Sequence, residues 1–195
     1  MKKILIINGH QYYDEVAKGE LTQTYIDKAS EFFKNNGFEI KYTHIEKGYN
    51  IEEECEKFEW ADYILLQFPV FWMSVPWIVK KYFDESLIQG RQYSSDGRSR
   101  SDASKAYGSG GLLQGSKYML SLTYNCPSSE FNNKDGFFDG LTIDEAHIAT
   151  HKTFQFCGLE ALETYSVHDI FKGDLDLELE LNRFEKVLSK NFLQK

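Results

Sequence analysis

Residues 63–77 read Y-I-L-L-Q-F-P-V-F-W-M-S-V-P-W, a continuous apolar run followed by a turn rich in aromatic rings. The run at residues 63–70 lacks the polar alternation of a half-exposed strand, so it predicts a central strand covered on both faces. Pro76 suits the first turn of a helix, and helical spacing of apolar residues continues to Leu87. The aromatic turn therefore joins a buried strand to a helix.

The same alternation of strand and helix continues on both sides of this stretch. Apolar runs predict further strands, and apolar residues at helical spacing predict the intervening helices. This order predicts an α/β fold in a single domain over residues 1–195, a doubly wound parallel sheet of five strands with helices on both faces. The other expected strands lie at residues 3–7, 38–45, 118–124 and 161–167, and the expected helices at residues 21–35, 51–61, 76–87, 144–156 and 174–192.

The last expected helix, residues 174–192, begins with a pattern that is also typical of a strand. Leucines at positions 175, 177, 179 and 181 alternate with acidic residues, as in a half-buried strand. A helix explains more, because Phe184 and Leu188 continue a helical spacing from Leu181. Acidic residues at 174–178 also favour the start of a helix through capping and the helix dipole.

Composition excludes several classes of protein. The 195 residues carry a net charge of −8, which disfavours a general nucleic-acid binder. Three scattered cysteines indicate a reducing compartment rather than a disulfide framework. The apolar run after the first lysines is too short for a signal peptide or a membrane span, so we expect a cytoplasmic protein without an integral membrane segment.

Residues 89–116 interrupt the regular order, because they show no clear periodicity and are longer than ordinary connections. Residues 91–118 hold five basic side chains against two acidic ones, although the protein as a whole is acidic. A basic insertion with the G-S-G-G cluster at 108–111 could bind phosphates, cover a site as a lid, or be a solvated loop.

Ligands of doubly wound sheets bind at the carboxyl ends of the strands, and three candidate segments lie there. Residues 8–24 lead into a helix whose free N–H groups suit a phosphate, with Gly19, Thr22 and Thr24 as candidates; an ordinary capped helix is the alternative. The aromatic turn suits a flat heteroaromatic ligand, unless its rings simply belong to the core. Residues 123–127 could bind the polar edge of that ligand or form a plain turn.

Other chemistries have weaker support. The sequence has neither G-x-G-x-x-G nor a Walker motif, which disfavours those nucleotide sites. His147 and His151 have the spacing of two metal ligands, but no third ligand is evident, and packing roles are the alternative. Cys126 has no neighbouring base in the sequence that would activate its thiol, so we expect a passive role.

Longer motifs carry a resemblance over nearly the whole chain. Residues 67–84, Q-F-P-V-F-W-M-S-V-P-W-I-V-K-K-Y-F-D, resemble the flavin-site segment of DT-diaphorase-like quinone reductases with a flavodoxin-like fold. The closer resemblance is to the bacterial modulator of drug activity B family. Its most specific motifs are S-D-G-R-S-R at 95–100, K-A-Y-G-S-G-G-L-L-Q-G at 105–115, K-Y-M-L-S-L-T-Y-N at 117–125 and F-C-G-L at 156–159.

This resemblance implies a homodimeric, FAD-dependent NAD(P)H:quinone oxidoreductase that acts by a ping-pong mechanism and protects against oxidative stress. NADPH or NADH would donate the hydride, and a small-molecule quinone would accept it. The implied cofactor-binding residues are Ala17, Lys18, Gly19, Glu20, Leu21, Thr22, Gln23, Thr24, Pro69, Val70, Phe71, Trp72, Met73, Tyr107, Thr123, Tyr124, Asn125 and Cys126.

One departure from the related enzymes concerns charge near the flavin. DT-diaphorase has a histidine with a charge-stabilising role where the local alignment places Asp139. An aspartate cannot supply positive charge, so backbone N–H groups are expected to suffice. Two other functions stay open: a flavin-containing regulatory subunit of a membrane transporter, and an FMN-dependent one-electron carrier.

Overall fold

A computed structural model describes residues 1–172 and 174–193 of the chain. The core is a parallel sheet in the order β2-β1-β3-β4-β5, with β6 also paired to β4. The strands are β1 (Lys3–Asn8), β2 (Glu39–His44), β3 (Tyr63–Pro69), β4 (Lys117–Thr123), β5 (Glu160–Ala161) and β6 (Tyr165–Val167). The helices are α1 (Glu20–Asn35), α2 (Ile51–Trp60), α3 (Trp77–Ser86), α4 (Ile143–Ala146), α5 (Ile148–Phe156) and α6 (Leu177–Leu193).

The sheet is covered on both faces, which confirms the predicted doubly wound α/β architecture. Successive residues of β1 point to opposite sides, because side chains alternate along a strand. Ile6 packs with the layer that contains α1 and α6, whereas Ile7 packs with the layer of α2, α3 and α5. The apolar run of β3 is buried for the same reason. Two aromatic-rich cores therefore fix the strands and the loops at their ends.

Two predicted elements are divided in the structure. The strand expected at 161–167 forms the separate segments β5 and β6, because the backbone of Glu163 pairs with the side chain of Asn191 in α6 instead of with β4. The helix expected at 144–156 breaks at His147, whose backbone leaves the helical conformation. His147 Nε2 and the Tyr124 hydroxyl form a hydrogen bond of 2.8 Å, which ties the break to the end of β4.

The last helix is confirmed as a helix rather than a strand. It begins after Asp176, whose carboxylate accepts a hydrogen bond from the Leu179 N–H group at 3.0 Å. Its buried face consists of Phe184, Leu188 and Phe192. The alternating leucines at 177 and 179 are exposed instead, so a helical stripe explains the burial and the alternation does not.

The basic insertion at residues 89–116 packs at the amino-terminal edge of the sheet. Leu113 N–H donates to the Cys157 carbonyl after α5, and Arg91 pairs with Glu52 and Glu59 of α2. Arg98 pairs with Asp96 within the insertion itself. Much of its positive charge is thus neutralised locally. Among the helices within residues 1–172 and 174–193, none combines the length and hydrophobicity that a membrane crossing requires.

Candidate active site

A cavity of about 350 Å³ opens at the carboxyl edge of the sheet, where the loops after β1, β3, β4 and β6 meet. Such a position is expected for the ligand site of an open parallel sheet. The structure brings together there most of the residues that the sequence indicated: Ala17, Lys18, Gly19, Glu20, Leu21, Thr22, Pro69, Val70, Phe71, Thr123 and Asn125.

The floor of this cavity is the amino terminus of α1, which we call the N–H cradle (residues 18–22). Gly19 precedes the helix in a left-handed conformation with φ 91°, and no side chain caps the helix. Within residues 1–172 and 174–193, the backbone N–H groups of the cradle have no hydrogen-bond acceptor. Free N–H groups at the positive end of a helix dipole form a site for phosphate.

His10 forms one wall of the cradle and is almost fully buried. Its Nε2 lies 3.1 Å from the Ala17 carbonyl, while its Nδ1 has no partner among the described residues. Burial holds the pKa of His10 below its usual value, so the ring is neutral at pH 7. A Cβ atom on Gly19 would lie only 2.8 Å from the His10 ring, so the cradle requires glycine there. Because Nε2 donates to the Ala17 carbonyl, Nδ1 of the neutral ring is an acceptor, so the donors available to an anionic group are the free N–H groups of the cradle.

A second, smaller cavity adjoins the first across Val70 and Asn125, and we call it the ring pocket. It measures about 180 Å³ and contains no ionised side chain in its lining. Its walls come from the turn after β3, the loop after β4 and the later loop at 137–138. The lining residues are Val70, Trp72, Met73, Tyr124, Asn125, Cys126, Phe137 and Phe138.

The turn after β3 is tight and strained. Phe71 and Ser74 exchange two backbone hydrogen bonds of 3.1 Å. Trp72 and Met73 between them have φ of 48° and 61°, values that non-glycine residues rarely adopt. Such conformations cost on the order of 1–3 kcal/mol each and cluster at functional sites. The turn leaves the Trp72 side chain 92% exposed beside the pocket.

The loop after β4 is anchored by buried contacts. The Tyr124 hydroxyl is hydrogen-bonded to Nε2 of His147, and burial lowers the pKa of His147 to about 4, so this imidazole is neutral at pH 7. Burial also raises the pKa of the Cys126 thiol. Nearby carboxylates raise it further, and no cation counteracts them. The Cys126 thiol is therefore protonated at pH 7, in agreement with the passive role expected from the sequence.

Three of the indicated residues do not line either cavity. Gln23 bonds to Asp27 on the surface of α1, and the Thr24 hydroxyl donates to the carbonyl of Glu20 within the helix. Tyr107 lies with Phe156 in a separate groove of about 490 Å³ between α3 and α5. Within one copy of the chain, the structure does not bring Tyr107 to the carboxyl edge.

Asp139 also lies outside both cavities, with an exposed side chain and a positive φ of 51°. Its neighbour Phe138 faces the ring pocket instead and stacks on Phe131 with ring centres 4.3 Å apart. The ring pocket thus has the apolar Phe138, and not Asp139, in its wall.

Several lining residues were not identified from the sequence. His10 follows β1 directly, so the rule that strand ends carry sites could have found it. The same rule applies to Ile170 and Phe171, which follow β6 and line the larger cavity. Phe137 and Phe138 come from a loop without periodicity, and nothing in the sequence signals that it folds back over β4.

The two cavities together suit one elongated ligand. The N–H cradle can bind a phosphate group, and the ring pocket can bind a flat, largely uncharged ring system by face contact. Since the cavities meet at Val70 and Asn125, the two parts of such a ligand can be connected. The residues present fit a flavin nucleotide on these grounds.

Comparison with known proteins places the chain among proteins with a flavodoxin-like fold. A family model described as having a flavodoxin-like fold matches residues 2–188. NADPH:quinone oxidoreductase MdaB of Haemophilus influenzae is 40% identical over 191 residues, which cover 97% of this chain and 98% of that protein. Human ribosyldihydronicotinamide dehydrogenase [quinone] is 30% identical over 116 residues, 58% of this chain and 44% of that one.

A solved structure shows the same fold at low sequence identity. It is an FMN-dependent NADH-azoreductase of Bacillus anthracis in complex with FMN, with a TM-score of 0.72 and 16% identity. The match covers 97% of this chain and 99% of that one. At this identity the likeness concerns the fold alone.

Proposed function

This chain belongs to the family of proteins with the flavodoxin-like fold, and on that premise we propose that it is an FAD-dependent NAD(P)H:quinone oxidoreductase. Its resemblance to the modulator of drug activity B family is confirmed by the relative that is 40% identical over 97% of the chain. One observation carries the proposal: a cavity with an N–H cradle for phosphate adjoins a pocket lined mainly by aromatic and apolar side chains.

The chain's own residues would bind and orient the reactants. The free backbone N–H groups of the cradle, beside Gly19, would hold the phosphate groups, while Val70 and Phe138 would exclude water from the rings. When bound, the flavin would accept a hydride from NADPH or NADH and pass two electrons to a quinone in a ping-pong sequence. Because both substrates are flat and would use the same pocket, the first product has to leave before the quinone binds.

The larger cavity supports FAD rather than FMN. Its lining also includes Ile170 and Phe171, and the Phe171 residue is 65% exposed. An exposed ring beside a phosphate site suits stacking of an adenine, which FMN lacks. The long row of free N–H groups in the cradle also suits a pyrophosphate.

A homodimer would account for Tyr107, and we include it in the proposal. The groove between α3 and α5 contains Tyr107, Tyr93 and Phe156, and the Tyr107 side chain is 70% exposed there. In a two-fold dimer the same surface of each copy meets its counterpart. Such an arrangement would bury these rings and could place Tyr107 of one copy beside the ring pocket of the other.

The setting of the proposed activity is the cytoplasm. The three cysteines, Cys55, Cys126 and Cys157, are unpaired in the structure, which suits a reducing compartment. Delivery of two electrons at once avoids partly reduced quinones that react with oxygen. A protective role against oxidative stress is therefore part of the proposal.

The proposal is tested by the absorption spectrum of the purified protein, followed by extraction of its cofactor and an assay with NADPH and a water-soluble quinone. We expect a yellow protein that releases FAD and oxidises NADPH rapidly. A colourless protein that binds neither FAD nor FMN would overturn the proposal. Release of FMN alone would reject the FAD assignment and leave the quinone reductase to be judged by the assay.

A further inference from the structure

Residues 167–171, which begin at the last residue of β6, run beside the loop after β4 and hold it by hydrogen bonds. Tyr124 N–H donates to the Val167 carbonyl at 2.8 Å, and Ile170 N–H donates to the Tyr124 carbonyl at 3.2 Å. Phe171 N–H donates to the Asn125 side-chain oxygen at 3.3 Å. The position of residues 124–126, which border both cavities, thus depends on this segment.

His168 supplies the side-chain contact in this arrangement. Its Nδ1 lies 3.0 Å from the carbonyl oxygen of Cys126, and its Nε2 lies 2.9 Å from the hydroxyl of Ser166. A carbonyl accepts and never donates, so Nδ1 must carry a proton. In the neutral ring Nε2 is then the acceptor, and the Ser166 hydroxyl donates to it. Both nitrogens of a neutral His168 are satisfied.

The His168 ring also supports the Tyr124 ring, which it faces in a nearly parallel stack with centres 5.7 Å apart. The ring of Phe131, which in turn stacks on Phe138, is tilted against His168 with ring centres 5.5 Å apart. Both Tyr124 and Phe138 line the ring pocket, whereas His168 does not. His168 therefore contacts the back of the pocket wall and cannot touch a ligand in it.

The N–H groups that His168 would position are free. Within the described residues, the backbone N–H groups of Asn125 and Cys126 have no acceptor. Donors fixed beside a ring that gains negative charge stabilise that charge, and their effect depends on placement. No ionised side chain in the pocket lining supplies a substitute.

We propose that His168 is a positioning residue, which holds the Asn125–Cys126 backbone at the ring pocket by donating from Nδ1 to the Cys126 carbonyl. This inference rests on the proposed flavin-dependent function, because the ring that the backbone would serve is the flavin. A displacement of about 1 Å can cost on the order of a hundredfold in rate, so a single anchoring bond has measurable consequences.

The test compares two substitutions of His168. His168→Phe keeps a ring that stacks on Tyr124 but removes the donor. His168→Asn removes the ring but keeps an N–H donor near the position of Nδ1. We expect His168→Phe to lower quinone turnover by about tenfold and to shift the flavin absorption bands and midpoint potential, with FAD still bound. His168→Asn should recover most of the turnover and the wild-type spectrum.

Ser166→Ala is the matched control, since it removes the other hydrogen bond of the same ring without touching the Cys126 carbonyl. It should retain the wild-type spectrum and turnover. A His168→Phe protein that binds FAD and has wild-type turnover, spectrum and potential would overturn the inference. So would a His168→Asn protein as impaired as His168→Phe, because stacking would then be the function of the residue.

A measurement on the unaltered protein keeps the inference testable if His168→Phe fails to fold. Nitrogen NMR at neutral pH reports which ring nitrogen of His168 carries the proton. We expect the Nδ1–H form; protonation of Nε2 alone would contradict the hydrogen bond to Cys126. This readout needs no flavin. Absence of flavin from the wild type would overturn the proposed function, and the tautomer would still decide the contact.

Discussion

The two cavities at the carboxyl edge differ in their lining, which is mainly backbone in one and mainly side chains in the other. The N–H cradle consists mainly of backbone, and it requires glycine at position 19, where the buried His10 ring leaves no room for a side chain. The ring pocket consists mainly of side chains, among them Trp72, Tyr124 and Phe138. Backbone donors bind a phosphate that is common to many nucleotides, whereas side chains shape the space around the reacting rings. Substitutions in the cradle should therefore change cofactor binding, and substitutions in the pocket should change turnover.

The largest effect on cofactor binding is expected for Gly19→Ala. The left-handed backbone costs an alanine about 1–2 kcal/mol, and its Cβ would meet the His10 ring at 2.8 Å. We expect flavin affinity to fall by about a hundredfold, as measured by fluorescence titration of the stripped protein. Gly37→Ala is the matched control, with φ +73° and no atom within 4 Å of the new Cβ.

The control should lose a similar amount of folding stability and keep its flavin affinity. If Gly37→Ala weakened flavin binding as much as Gly19→Ala, general destabilisation would explain both results. That result would contradict a specific role of the cradle in flavin binding.

Acid should weaken the support of the ring pocket through His147. Burial lowers the pKa of His147 to about 4, below the value of about 6.5 in an unfolded chain. Between these values the unfolded state binds more protons, so stability is full above pH 6.5 and is lost as pH falls toward 4. From pH 7 to pH 5 we expect a loss of about 2 kcal/mol from this residue, by urea denaturation.

His147→Phe removes the titrating group, so its stability should depend less on pH over the same interval by that amount. Its stability at pH 7 should be lower than that of the wild type, since the buried Tyr124 hydroxyl loses its hydrogen-bond partner. An unchanged slope between pH 5 and pH 7 would show that other groups cause the acid sensitivity.

Trp72→Ala should affect turnover and leave the cradle intact. The side chain is 92% exposed, so its removal costs little packing energy, but it borders the ring pocket. We expect kcat/KM for the quinone to fall by about tenfold with FAD affinity unchanged, because an aromatic wall of the substrate site is lost. Trp77→Ala, another exposed tryptophan that lines neither cavity, should retain wild-type kinetics. Equal losses of kcat/KM in both variants would show that the position of Trp72 at the ring pocket is not the cause.

The smallest effect is expected for Asp139→Asn. The side chain is exposed and lines neither cavity, so quinone turnover should stay within about twofold of wild type. Stopped-flow measurement of hydride transfer checks this directly. A loss of two orders of magnitude would mean that the carboxylate acts in the reaction and that backbone donors do not suffice.

Much of the fold could be predicted from residue pattern. The apolar runs of β1 and β3 and the helical stripe of α6 have periods that depend on local backbone geometry alone. The divided elements could not be predicted, because their breaks come from distant partners. Asn191 draws the backbone of Glu163 away from β4, and Tyr124 lies against His147.

The residues of the candidate site also divide into those that the sequence pattern predicts and those whose position depends on packing. Gly19 and the turn at 71–74 were identified because strand ends and glycine positions are visible in the chain. His10 could have been identified by that rule. The position of Tyr107 in a separate groove could not, since a 30-residue connection between α3 and β4 has no period that would fix where it packs.

The sequence by itself determined the order of strands and helices and the edge of the sheet at which a ligand would bind, because both follow from short-range periodicity and the direction of parallel strands. Only the tertiary structure decided which side chains share a cavity. Phe138 entered the ring pocket and Asp139 did not, although they are neighbours in the chain. That choice depends on stacking against Phe131 and on burial, which are properties of the packed molecule rather than of any local pattern.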